Sequence, residues 1–156
     1  FYLESQGDVR YVDFKSPDAM SRFEDVSVGN CRFHVTATHD LSNEATVERE
    51  VQYSEDVLSI RDSFSARNEQ RWRSQFILHP DVEVRHIPDR SGFELVNGNE
   101  RVFMHVANEK WDFYLEDTKY SNQFMKLYSN KAIIICGLSQ SENLLVRFDI
   151  HNAWSL

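Results

Sequence analysis

Cysteine is scarce, with Cys31 and Cys136 the only two in 156 residues, and that excludes the disulfide framework that staples many small secreted domains. Either two buried thiols or one bridge between distant positions fits so few. Glycine and proline number five and three, and neither a GxxxxGK[ST] phosphate loop nor a GxGxxG turn is present. The longest apolar run is AIIIC at 132–136, far short of the ~20 residues that span a bilayer as a helix, so no membrane partner is expected. HExxH and paired CxxC spacings and a serine-hydrolase elbow are absent as well, and no metal or cofactor is expected. Basic charge is in deficit, 17 Lys and Arg against 25 Asp and Glu for a net charge of −8. Nucleic-acid affinity is mostly phosphate neutralisation by Lys and Arg, so nucleic acid is not an expected partner.

What is present is 41% apolar, 13% aromatic and 27% charged residues, the mixture of a soluble globular domain. The length suits one core, hence a single domain over 1–156. The chain opens at Phe1 without a Met or a basic-then-apolar leader, which suggests a processed product or a piece of something longer.

Period-two alternation dominates the pattern, and successive side chains of a strand point to opposite faces. In RFHVTATH, Phe33, Val35 and Ala37 share one face while Arg32, His34, Thr36 and Thr38 share the other. In TVEREVQY, Arg49 keeps company with Val47, Val51 and Tyr53. VLSIRDSF and RWRSQFIL follow as two further strands, with Leu58, Ile60 and Phe64, then Trp72, Phe76 and Leu78, as their apolar faces. More segments of this kind occupy 9–14, 82–87, 92–96, 101–107, 111–116, 124–128, 132–138 and 144–150. The expectation is an all-β antiparallel β-sandwich of about a dozen short strands. Asn97-Gly98 favours a type I′ hairpin turn, with Ser54-Glu55-Asp56 a weaker turn signal. A short helix is expected over 17–23, opened by Ser16 as its cap.

Several side chains qualify as contacts for a sugar polymer. Trp72 and Trp111 carry flat rings suited to stacking on a pyranose, although large aromatics in short-stranded domains more often fill the space between sheets. Arg49, Arg71 and Arg73 can grip a carboxylate or sulfate with two hydrogen bonds, or pair with strand neighbours such as Glu48 and Glu50. His34, His39 and Asp40 lie close in sequence, but a regular strand puts the two histidines on opposite faces, against a shared metal. No pair among the 25 acids is singled out as a glycosidase couple.

The stretch THDLSNEATVEREVQYSEDVLSIRDSF resembles the heparinase II/III-like family of polysaccharide lyases, through His39-Asp40, Arg49 and Leu58-Ser59-Ile60-Arg61-Asp62. RSQFILHPDVEV is similar to the same family at Phe76, His79, Pro80, Asp81 and Val82, and KYSNQFMKLYSNKAIII at Tyr120, Ser121 and Phe124. The resemblance spans about 32–150 and departs from the pattern at Leu41 and Met125. It implies the C-terminal β-sandwich of a periplasmic or secreted lyase that cleaves an acidic polysaccharide, such as a glycosaminoglycan, by β-elimination at a uronic acid. It also implies an α/α-toroid preceding the sandwich as partner domain, with the catalytic residues in or before the cleft between them. No catalytic residue is therefore assigned within this chain, and the expected substrate contacts are His39, Arg49, Trp72 and Trp111. An autonomous carbohydrate-binding or protein-interaction module is the alternative, and a small enzyme acting alone ranks last.

Overall fold

The computed structural model describes residues 2–5, 8–10, 20–29, 32–40, 45–87, 92–107, 110–123 and 126–151. Eleven strands run through them: β1 (Tyr2–Ser5), β2 (Asp8–Arg10), β3 (Met20–Gly29), β4 (Arg32–Asp40), β5 (Ala45–Ser54), β6 (Val57–Ile77), β7 (Glu83–Ile87), β8 (Gly92–Asn97), β9 (Glu100–Val106), β10 (Asp112–Gln123) and β11 (Lys126–His151). Every pairing among them is antiparallel. The count is close to the expected dozen, but two strands are long. VLSIRDSF and RWRSQFIL fuse into β6, and three expected strands fuse into β11.

These two strands crease the sheet. Their outer portions pair with each other on both sides of a break, Ser139 opposite Gln70 and Ser141 opposite Ser65, so Gln140 of β11 faces four residues of β6. The break falls in polar sequence, ARNEQ on one strand and SQSE on the other. The Gln140 side-chain amide donates to the Arg67 carbonyl across it at 3.0 Å. On one side of the crease the order is β3-β4-β5-β6-β11-β9-β8-β7; on the other, β6 and β11 are flanked by β1 and β10. One continuous hydrogen-bonded sheet thereby forms two layers, and bulges are the usual means of turning such a corner.

The layers meet through alternating side chains. Phe64, Trp72, Phe93, Met104, Val106, Trp111, Ile133, Ile135, Leu144 and Val146 form one buried cluster drawn from both. Phe76 meets Phe148 across it at 5.8 Å between ring centroids, and Phe93 meets Phe113 at 5.6 Å. Gly137 sits in register with Trp72 and, one step beyond the Asp112–Cys136 pair, faces Trp111. A Cβ at 137 would collide with the Trp111 ring, so its absence lets the two indoles close edge to face, 3.6 Å between centroids.

Two local expectations change. Residues 20–23, expected as part of a helix, open β3 instead; the rest of that segment lies outside the described residues, as does Ser16. Ladder pairing with β4 supplies backbone partners a single helical turn cannot match. The hairpin at Asn97-Gly98 has its two-residue loop at Gly98-Asn99, between Asn97 and Glu100, and only Gly98 has positive φ, at 60°. That is the pattern of a type II′ turn, with Gly first. The double-positive backbone of type I′ appears at Glu55 and Asp56, φ 52° and 61°.

Candidate functional site

The inner face of β4 and β5 carries the features that distinguish this sheet. Register places His39 beside Val47 and Phe64, and Ala37 beside Arg49 and Asp62. Arg49 therefore enters the interior next to a carboxylate, although alternation alone would have it among apolar neighbours. Its Nε donates to Asp62 Oδ1 at 2.5 Å and its Nη2 to Asp62 Oδ2 at 2.6 Å. Ser74, from the second layer, donates to Asp62 Oδ2 at 3.0 Å and accepts from Arg49 Nη2 at 3.2 Å. The Phe76 ring lies 5.8 Å beneath the guanidinium carbon, within cation–π range.

Asp62 is 3% exposed and Ser74 fully buried, while 38% of the Arg49 side chain stays open. The bonds to Asp62 hold the Arg49 proton more tightly than an ordinary guanidinium does, over the opposing effect of burial, with the charge of Asp62 adding to them. One edge of the fork is thus spent on Asp62, and Nη1 is left out of these bonds. The arrangement fixes the direction of a permanent cation without immobilising it in the core. Such a group can orient an anionic ligand; it cannot move a proton.

Trp72 and Trp111, expected as substrate contacts, are interior residues at 1% and 6% exposure. Trp72 Nε1 donates to Ser139 at 3.1 Å. With Asp62, Phe64, Glu142 and Leu144 they line a crevice packed too closely to admit even a water molecule, so it is no ligand pocket of the ordinary ~300–1,000 Å³ kind. Gly137 explains why packing claims both rings. His39 is on the same face as Arg49, diagonal to it in the ladder; its side chain lies outside what is described.

The other candidates are held by neighbours. Arg73 bonds Glu116 at 2.7 Å, on the outer face of the second layer. His34 lies on the outer face of the first layer, its ring nitrogens 3.3 Å from Asp25 and 2.9 Å from Glu50, which also accepts from Arg61 at 3.1 Å. His79 meets Asp81 and the ring of Tyr120, His86 meets Phe93 and Phe113, and His105 meets Asp149. Cys136 is a half-buried thiol; Cys31, Leu41, Phe124 and Met125 lie outside the described residues.

Asp62 and Ser74 were not among the expected site residues, although the signal for Asp62 was present. A two-residue turn at Glu55-Asp56 pairs Ser54 with Val57, and counting outward from it sets Arg49 opposite Asp62. Ser74 had no such signal, because it reaches the pair across the sandwich.

An all-antiparallel sandwich made by creasing one sheet, with an arginine anchored on its inner face, defines a β-sandwich domain. The chain belongs to the heparinase II/III-like family, whose C-terminal model, "Heparinase II/III-like, C-terminal", matches residues 11–149. Among solved structures it is similar to the heparan sulfate lyase HepC from Pedobacter heparinus, with a TM-score of 0.75 at 12% identity, over 87% of this chain and 22% of that one. It is similar also to a heparinase III, TM-score 0.72 at 13% identity, over 85% and 21% respectively. The chain thus spans about a fifth of the length of these structures. No curated protein matches it in sequence.

Proposed function

We propose that this chain is a non-catalytic wall of a polysaccharide lyase, the parent protein cleaving a uronic-acid-containing polysaccharide by β-elimination in a periplasmic or secreted setting. The carrying observation is the match to the family's C-terminal model over 11–149. β-Elimination needs a base for the C5 proton, an acid for the leaving oxygen and a cation for the uronate carboxylate, all converging. Of these, Arg49 suits the last, with its remaining donor on the part of its side chain that stays open. A preceding toroid domain would supply the rest, with His39 and Arg49 contributing one rim of the groove. The burial of Trp72 and Trp111 disfavours the alternative of an autonomous carbohydrate-binding module built on those rings.

Unsaturated-uronate absorbance on heparan sulfate tests this. The parent protein is expected to generate it and the 156-residue chain alone to generate none. In the parent, Arg49→Lys should lower kcat/KM about tenfold, as loss of one charge-assisted contact from Nη1 to the uronate carboxylate would. Cleavage by the isolated chain, or none by the parent on any uronate polymer, overturns the reading.

A further inference from the structure

The inner face of the first layer extends beyond its cover. One register row crosses it from Met104 through Phe148, Leu58, Tyr53 and Phe33 to Val28. Met104 is fully buried, but Phe33 is 36% and Val28 81% exposed, with Val26 beside it at 58%. The row ends on β3, which among the described residues pairs only with β4. β7, at the far end of the same sheet, carries the exposed ion pair Glu83–Arg85, the kind of charge that blunts an edge. Between Val26 and Gly29, β3 carries no charge.

We propose that β3 pairs with β3 of a second copy, antiparallel and centred on Ser27, in a weak symmetric dimer. A two-fold axis normal to the sheet keeps the inner faces on one side. It sets Ser27 against itself and Val26 against the partner's Val28, so that four exposed valines cover one another. It also sets Asp25 against the partner's Gly29 rather than against a like charge. Gly29 is in register with Arg32, and a Cβ there would meet nothing within 4 Å. The partner's Arg32 lies two strands, about 10 Å, from Asp25, with a side chain long enough to reach across the empty glycine position. Both side chains are largely exposed, Arg32 at 66% and Asp25 at 63%, and would exchange their surface contacts with Glu55 and His34 for each other. The register shift between Phe23 and Asp25 ends the pairing on one side, so the contact is five residues long. That is well under the ~1,200 Å² of a stable interface, which makes the dimer weak and concentration-dependent.

Sedimentation velocity on the 156-residue chain from about 10 to 500 μM should show a monomer–dimer equilibrium. Val28→Lys, at a surface position, should leave thermal unfolding unchanged and abolish the dimer. Asp25→Arg and Arg32→Asp should each weaken it about tenfold, because symmetry counts every lost pair twice. The double swap should restore the dimer to within about threefold of the original. A chain that stays monomeric throughout, a dimer indifferent to Val28→Lys, or a double swap that restores nothing overturns the proposal.

Discussion

Glu55 and Asp56 sit in left-handed backbone, φ 52° and 61°, where a Cβ crowds the carbonyl and only Gly, Asn and Asp are at ease. Local bonds offset part of that cost. Tyr53 donates its hydroxyl to Asp56 Oδ1 at 3.1 Å, Arg32 donates to Glu55 at 3.0 Å, and the Ile150 amide donates to the Asp56 carbonyl at 2.9 Å. The first two are exposed and worth little; the third uses only backbone and survives substitution. Glu55→Asn with Asp56→Gly should therefore stabilise the chain by about 1 kcal/mol, roughly 2–4 °C in Tm, measured by thermal unfolding. A lower Tm would mean the two side-chain bonds outweigh the backbone relief. Sequence signals misassign the two hairpin types here because Asn97-Gly98 is the stronger I′ dipeptide. The ladder closes one residue later, at Glu100, and so requires positive φ only at Gly98.

At the scale of the element, alternation located most strands and their faces, because the period of two survives inside the sandwich: Phe33, Val35 and Ala37 share the face of Arg49 and Asp62, as the pattern predicts. It missed the continuity of β6 and β11. ARNEQ and SQSE have the composition of turns, and whether polar residues reverse the chain or crease a sheet depends on pairing with a distant strand. The Arg49–Asp62 pair shows the same division, the register being readable and the burial not. Since Asp62 is 3% exposed, Arg49→Ala would leave a buried carboxylate with Ser74 as its remaining described donor, at a cost of about 3 kcal/mol, whereas joint replacement by Met and Leu should be near neutral. Urea unfolding of the two variants distinguishes these outcomes, and equal destabilisation would show that packing, not charge, sets the cost. The raised affinity of Arg49 for its proton implies a contribution fully present below the ordinary guanidinium range and lost only above it. The stabilisation that Arg49 contributes through its own titration should therefore be the same at pH 5 and pH 9.

For the whole molecule, the crease produces a gradient. Where the two layers face each other, Ile133, Ile135, Met104 and Val146 are fully buried; toward β3, the sheet continues but its cover does not. The inward amides of β3 are bonded to β4 as those of the inner strands are to their neighbours, so for ladder-bonded amides the difference between the two ends lies in apolar burial, at about 25 cal/mol per Å². Local opening should follow that burial rather than hydrogen-bond count. Native-state hydrogen exchange below about 20 μM, where the weak pairing proposed for β3 is largely dissociated, should find the amides that bond β3 to β4 at least about a hundredfold less protected than those of 133–135 and 144–146. Raising the concentration should slow exchange in 25–29 selectively, because only those amides would gain partners. Uniform protection across the sheet would mean that the long strands transmit the stability of the sandwich to its open flank, and the chain would then unfold as a single cooperative unit.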